Sequence, residues 1–299
     1  MGLFSRYRTT SDQRWLELLT GAERSGNGFL GRTRRLLREG LGPALPKLPD
    51  DQLQKNFVGS SGANALREGF QFYQAIKRRC SEFGRPISPD RRILDFGCGW
   101  GRITRFFLKE VQAENLVGVD VDPDIIQICK ETIGEGQYQT VSSHPPSHFP
   151  DRSFDVIFAY SVFSHLAEDT HLLWIEEFAR LLKDGGLLFA TTQKRSFIEY
   201  CNGLTQDQIV TPWHQSLSTA FRPLDIVLAQ YDNGEFVYSP TGGGGVRDAS
   251  FYGEAAFSER YVGRKWLPHL KLLAFDDKTL PQALVIAQKP IRQTEVPNN

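Results

Sequence analysis

Cysteine is scarce in this chain of 299 residues, which has only Cys80, Cys98, Cys129 and Cys201. None stands in CxxC or CxxxC spacing, so neither a zinc site nor a disulfide framework is indicated, and reduced thiols in a cytoplasmic protein are expected. An excess of charge is also missing, with 35 Lys plus Arg against 35 Asp plus Glu. No overall field recruits nucleic acid or an anionic membrane, and neither is expected as a partner. Long apolar runs are absent too. No stretch approaches the ~20 apolar residues of a membrane span, and "MGLFSRYRTT" lacks the apolar core of a signal peptide. Arg6 stands where a myristoylation signal needs Ser or Thr.

What is present is an ordinary globular composition, 40% hydrophobic and 23% charged, enough for a sizeable core. Residues 1–56 are rich in Arg, Gly and Pro, with short apolar clusters such as "WLELL", and read as an arm with one or two surface helices. The Arg run at 32–38 fits a solvated basic helix face. From Ser60, Ala65, Leu66, Phe70, Phe72, Tyr73 and Ile76 recur near helical spacing up to a stop at Gly84. Strands then alternate with helices: "RILDFG", "GRITRFFLKEV", "NLVGVDV", "PDIIQICKETI", "GQYQTVS", "FDVIFAYS", "THLLWIEEFARLLKDGG" and "LLFATT". Such alternation predicts an α/β fold, a Rossmann-like parallel sheet with helices on both faces. The continuous runs "VIFA" and "LLFA" suit strands buried on both sides. After Thr192 the rhythm stops, and 193–257 are aromatic, Gly-rich and polar. It resumes over 258–289 with a helix, "ERYVGRKWL", and two strands expected to pair antiparallel, "LKLLAFDD" and "QALVIAQK"; 290–299 read as a flexible tail.

Chemistry concentrates in "ILDFGCGWGRIT", residues 93–104. Gly97, Gly99 and Gly101 lie in the first strand-to-helix turn, where ligands approach an open parallel sheet. Without a Cβ the backbone comes close to a ligand and takes up positive φ. A dinucleotide fingerprint needs a small residue three after Gly99, where Arg102 stands, which disfavours a nicotinamide-dependent oxidoreductase. The loop also lacks the G-K-[ST] of a phosphate cradle.

The pattern D-x-G-x-G-x-G is fitted, and three further segments follow in order: "LVGVDVDP", "FDVIFAYSVFSHL" and "LLKDGGLLFATT". On these, the chain resembles the Rossmann-like class I S-adenosylmethionine-dependent methyltransferases of the bacterial small-molecule kind, over about residues 57–289. The resemblance implies a cofactor-binding core at 57–192 and a substrate lid inserted at 193–257. It implies S-adenosylmethionine as cofactor, held by Asp95, Phe96, Gly97, Cys98, Gly99, Gly101, Asp120, Val121, Ser143 and Ala159. Asp95 would serve the ammonium, Asp120 both ribose hydroxyls, and carbonyls near Phe96, Gly97 and Ala159 the amino group. Asp122 reads as a helix N-cap before Pro123 as well as an adenine neighbour. Where related enzymes place an Asp or Asn for the adenine, "VSSHPP" offers Ser142, Ser143 or a carbonyl.

His165, past the fourth strand, is a candidate general base, with Tyr160 beside it; a core or capping histidine is the plain alternative. Ser161, Trp213, His214, Tyr238 and Tyr252 are candidate acceptor contacts, and "TGGGG" at 241–245 a hinge or mobile tip. Arg67 is a candidate for the cofactor carboxylate. Asp184, Gly185 and Gly186 read as a helix stop. Pro145 and Pro146 keep His144 and His148 off one helix face, so no metal is expected. The implied reaction methylates an oxygen or nitrogen of a small molecule. The alternatives are a protein side-chain acceptor or a binding module without turnover.

Overall fold

The computed structural model describes residues 8–21 and 45–291, so the Arg run at 32–38 lies outside the described residues. The chain forms two compact units that divide after Val141. The first contains helices α1 (Asp12–Thr20), α2 (Asp51–Val58) and α3 (Gly62–Glu82). Strand β1 (Ile93–Phe96), helix α4 (Thr104–Phe107), strand β2 (Leu116–Asp120), helix α5 (Pro123–Thr132) and strand β3 (Gln137–Thr140) complete it. The strands are parallel in the order β3-β2-β1, with Asp95 beside Gly118 and Asp120 beside Thr140.

The "WLELL" cluster is not a surface helix. Trp15, Leu16, Leu18 and Leu19 of α1 are buried, because four apolar side chains on nine residues cover too much of the helix to leave in water. Its Asp12 joins an ionic cluster in which Lys77 of α3 and Lys109 each reach both Asp12 and Glu110, at 2.7 to 2.9 Å. Two cations facing two carboxylates keep a part-buried cluster neutral.

The segment "GRITRFFLKEV" forms only one α-helical turn, α4, flanked by looser turns. Four consecutive buried residues there, Thr104 to Phe107, leave no solvated face of the sort a surface helix needs. Helix α5 starts as expected: the Asp122 side chain accepts from the Asp124 amide at 3.1 Å, with Pro123 first in the helix.

The second unit holds β4 (Phe154–Ala159), α6 (Glu168–Leu181), β5 (Leu182–Thr192), α7 (Arg195–Gly203), α8 (Pro212–Thr219), α9 (Leu224–Asp232), β6 (Val237–Ser239), β7 (Glu254–Ala256), α10 (Glu259–Lys265), β8 (Lys271–Asp276) and β9 (Ala283–Gln288). Strands run in the order β4-β5-β9-β8, the first pair parallel and the others antiparallel. The buried run Val156 to Ala159 pairs with the buried run Leu187 to Ala190, as continuous apolar strands require.

Asp184, Gly185 and Gly186 do not stop the helix. Helix α6 ends at Leu181, and Leu182 already pairs with Phe154, so "LKDGG" belongs to β5. Gly186 is needed there because a Cβ would lie 2.8 Å from the Lys183 carbonyl oxygen and 3.1 Å from that of Asp155. Between β5 and α10, helices α7, α8 and α9 with the β6–β7 pair enclose a separate small core of Ile198, Cys201, Leu217, Phe221, Val227, Tyr231 and Val237.

His171 of α6 is fully buried among Phe163, Phe236, Phe257, Tyr261 and Trp266. The Trp266 indole donates to its Nε2 at 2.7 Å, which only an unprotonated nitrogen can accept. Burial pushes its pKa down to about 3. Folding therefore keeps neutral a group that protonates near pH ~6.5 when unfolded, so this stability is complete above that pH and is lost as pH falls toward 3. Urea titrations at pH 6.5 and 5.5 are expected to show wild type losing about 1 kcal/mol more than His171→Gln. Equal losses would mean that the imidazole is not held neutral.

Candidate active site

In the first unit the sheet ends in a loop drawn tightly back on β2. The amides of Gly97 and Cys98 both donate to the Val119 carbonyl, at 2.8 and 2.9 Å. Gly97, Gly99 and Gly101 have φ of 73°, 51° and 71°, a region closed to most side chains. Their reasons differ. A Cβ on Gly101 would lie 2.2 Å from Ile133 Cδ1, so that glycine serves packing, whereas one on Gly99 meets only Phe57 Cδ1 of α2, at 3.6 Å.

Asp120, buried at the end of β2, accepts from the Gly99 amide at 2.9 Å and the Asp122 amide at 3.1 Å, through different oxygens. One backbone donor on each oxygen fixes the orientation of the carboxylate at the end of the strand. Asp95 is fully enclosed, and its carboxylate accepts from the Thr104 hydroxyl. Burial, opposed by that hydrogen bond and reinforced by the charge of Asp120, pushes its pKa up to about 7.

Arg105 escaped the sequence argument. Its guanidinium is fully buried and donates to the carbonyls of Gly101, Trp100 and Lys47 at 2.9, 3.1 and 3.0 Å, lying 4.9 Å over the Trp100 ring. Desolvation pulls its pKa down to about 10, still charged at neutral pH. The signal was present in "TRFF", an arginine among large apolar residues just after a glycine loop. Arg67, by contrast, is exposed and donates to Asn64 at 2.9 Å, and Arg102 pairs with Glu68 at 3.3 Å.

In the second unit β4 ends at Ala159, Tyr160 is buried beside it, and Ser161 follows with φ of 57°. That unusual backbone is held by the Ser161 amide donating to Thr191 Oγ1 at 2.7 Å. Thr191 Oγ1 donates to Gln282 Oε1 at 2.5 Å, Gln282 Nε2 donates to Ser161 Oγ at 3.0 Å, and Ser161 Oγ lies 3.4 Å from both His165 Nε2 and Ser164 Oγ. His165 Nδ1 lies 2.8 Å from the Gly253 carbonyl, so it carries the proton and Nε2 keeps a lone pair.

Residues 88 positions away fix that imidazole. The Gly253 and Ala255 amides donate to the His165 and Ser164 carbonyls, both at 2.7 Å, and Tyr252 stacks on the imidazole at 4.8 Å and 8°. The glycine run is a hydrogen-bonded turn rather than a free tip: Gly242 and Gly243 donate to the Tyr252 and Arg247 carbonyls at 3.0 and 2.9 Å. A Cβ on Gly243 would lie 2.7 Å from the Tyr252 ring, so close approach explains the glycine.

Of the expected acceptor contacts, Ser161 and Tyr252 are brought together on His165, and Trp213 joins them through Glu254, to which its indole donates at 3.0 Å. Tyr238 pairs with Ala255 across the β6–β7 ladder. His214 is half-buried, bonded to Thr211, the N-cap of its own helix, and its ring lies 5.2 Å from that of Trp213. Ser143 pairs with the exposed His144, whose Nε2 meets Thr170 at 3.1 Å. Among the described residues no group of three or more His, Cys, Asp or Glu could hold a metal.

Residues 93–186 match the family model of the methyltransferase domain. Trans-aconitate 2-methyltransferase of Rhodopseudomonas palustris (strain BisB5) is 23% identical over 48% of this chain and 54% of that protein. Phosphoethanolamine N-methyltransferase 1 of Arabidopsis thaliana is 30% identical over 37% of this chain and 22% of its own length. The chain thus spans about half the first relative and under a quarter of the second. A solved S-adenosylmethionine-dependent methyltransferase from Mesorhizobium loti shares the fold, with TM-score 0.50 at 14% identity over 71% of this chain and 96% of that one. The chain carries a class I S-adenosylmethionine-dependent methyltransferase domain. The cofactor of that class is S-adenosylmethionine, and the glycine loop and Asp120 fit it: close backbone, a carboxylate oriented by that backbone, and no phosphate cradle.

Gly101→Ala is expected to lower stability by about 1–3 kcal/mol, from left-handed strain and the Ile133 contact. Gly99→Ala carries the φ penalty without that contact and should cost less. Urea denaturation of the two variants checks the order, and a reversed order would mean that Gly101 is not the packing glycine.

Proposed function

We propose that this protein is a methyltransferase that moves the methyl group of S-adenosylmethionine to an oxygen or nitrogen of a small molecule. The observation that carries the proposal is the Gly97–Gly101 loop tied to Asp120, whose two carboxylate oxygens are each oriented by one backbone amide. S-adenosylmethionine supplies a methyl carbon on a positively charged sulfur, which departs as a neutral thioether.

The chain's own residues then have a limited task. Asp120 would hold the two ribose hydroxyls, and the glycine loop would let the backbone approach them. Asp95 would face the ammonium, a partner that offsets the cost of its buried charge. In the first unit Val121 would border the adenine and Phe96 would offer a carbonyl. His165, with its proton on Nδ1, would use Nε2 as general base toward the acceptor. Ser161, Tyr160, Trp213, Tyr238 and Tyr252 would line the acceptor's place; aromatic surface at Tyr200 and Trp213, both over 40% exposed, suits a small molecule with an apolar part. Four unpaired cysteines suit the reducing cytoplasm.

Isothermal titration with S-adenosylmethionine, S-adenosylhomocysteine and NAD tests the proposal directly. Micromolar binding of the first two, lost in Asp120→Ala, is the expected result; binding of NAD alone would overturn it. His165→Gln should keep that affinity while lowering turnover by about 10²- to 10⁴-fold in a tritiated-methyl transfer assay. Binding should also depend on pH through Asp95. With its carboxyl at about 7 in the free protein, a bound ammonium favours the charged form, so a proton must leave below that pH. Affinity is expected to fall about tenfold from pH 8 to pH 6. An unchanged Kd would remove Asp95 from the ammonium site.

A further inference from the structure

Glu254, the first residue of β7, is a carboxylate almost wholly enclosed, at 2% exposure. Its Oε1 accepts from the half-exposed Trp213 indole at 3.0 Å, and its Oε2 is buried with no hydrogen-bond partner. That oxygen lies 3.7 Å from His165 Nδ1. A carboxylate oxygen buried without a donor is costly, and such a group persists where a charge comes to meet it. The backbone leaves it little freedom: Glu254 pairs with Ser239 on β6, while the amides on either side of it in the chain donate to His165 and Ser164.

We infer that Glu254 is a positioning residue whose carboxylate is the counter-charge to His165 while that imidazole holds a proton taken from a hydroxyl acceptor. The inference rests on the assignment of His165 as base under the proposed function. Nδ1 keeps its proton and donates it to the Gly253 carbonyl, and Oε2 stands beside the same nitrogen, so the positive charge of the imidazolium develops within reach of the negative one. Two further groups face this pair. Tyr252 covers the imidazole face. Cys201 faces Glu254 from α7, its thiol pushed up to about 12 first by burial and then by the negative charge of Glu254. The thiol is therefore neutral, and the Trp213 indole carries no charge; neither cancels the carboxylate.

The pair also narrows the acceptor. A carboxylate attacks a methyl group with no proton to lose, and an amine attacks as its own neutral base. A hydroxyl gains most from a base at hand. Its O–H bond would break with the proton going to Nε2, the electron pair left on oxygen would form the oxygen–methyl bond, and the methyl–sulfur bond would break with its pair leaving on the neutral thioether. The imidazolium beside Glu254 later returns that proton to solvent.

The test needs no acceptor. The protein is labelled with ¹⁵N-histidine, His165 is assigned through His165→Gln, and the ring nitrogens are followed by NMR from pH 5 to 9 in wild type, Glu254→Gln and Glu254→Asp. Wild type should show the Nδ1–H form at high pH. The His165 midpoint should move down by about one unit in Glu254→Gln, and by less in Glu254→Asp, which keeps the charge. The other five of the six histidines act as internal controls. A midpoint unmoved in both variants, or an Nε2–H form in wild type, overturns the inference. Should Glu254→Gln fail to fold, Glu254→Asp and the wild-type tautomer still decide it. Because the cofactor is absent from this experiment, loss of the Glu254 effect leaves methyl transfer standing, and failed cofactor titration leaves the pair standing.

Discussion

The first unit depends on one buried charge. Arg105 has been taken out of water, and three main-chain carbonyls plus the face of Trp100 replace its hydration. A guanidinium presents five donors in a rigid plane, which lets one side chain tie Gly101 and Trp100 of the glycine loop to Lys47 of the preceding segment. Its own main-chain carbonyl accepts from the Trp15 indole at 3.3 Å, and the Lys47 amide donates to Thr132 at the end of α5 at 2.7 Å. The N-terminal helix, the segment before α2 and the cofactor loop are thereby parts of one hydrogen-bonded set. Three glycines in left-handed conformations would otherwise cost conformational entropy to hold.

The second unit solves a similar problem with neutral groups. Ser161 takes a left-handed backbone that a non-glycine residue adopts at some expense, and the Thr191–Gln282–Ser161 chain compensates it with fixed donors and acceptors. Each hydroxyl has one proton to give, so fixing Thr191 on Gln282 and Gln282 on Ser161 holds the Ser161 oxygen in place beside His165 and Ser164. From the other side, residues 252–255 close on 164–166 through two backbone hydrogen bonds and a bridge between Leu166 and Tyr252. The imidazole of His165 is consequently held at Nδ1, at its face and at its backbone, while the Nε2 lone pair faces Ser161 Oγ.

The parallel strands, their order of appearance and the D-x-G-x-G-x-G loop were legible because they rest on local signals: apolar runs of strand length, turns rich in glycine, and an acid closing a strand. Helix ends were read less well. "LKDGG" carries a stop signal for a helix, yet pairing of Leu182 with Phe154 claims it for a strand, a contact between residues 28 apart that no local rule contains. Arg105 and Glu254 were missed for one shared reason. Single charged residues in short apolar segments look like the solvated face of an amphipathic element, and only the packed structure shows that each points inward. The run at 241–245 was legible as glycine but not as contact, since Tyr252, its reason for being bare, arrives seven residues later.

The sparse chemistry of the site follows from where the driving force lies. When the leaving group is already a sulfonium, the protein need not create an electrophile; orientation and the removal of one proton remain. A scaffold meeting that demand can invest its polar side chains in holding positions, and most polar groups here do so: Asp120 on the loop, Thr191 and Gln282 on Ser161, Gly253 on His165. One exception is the oxygen of Glu254 that accepts no hydrogen bond, which supports no strand, turn or cap. A buried acceptor without a structural duty is a standing cost, and the group within reach that can acquire a charge to offset it is the imidazole beside it.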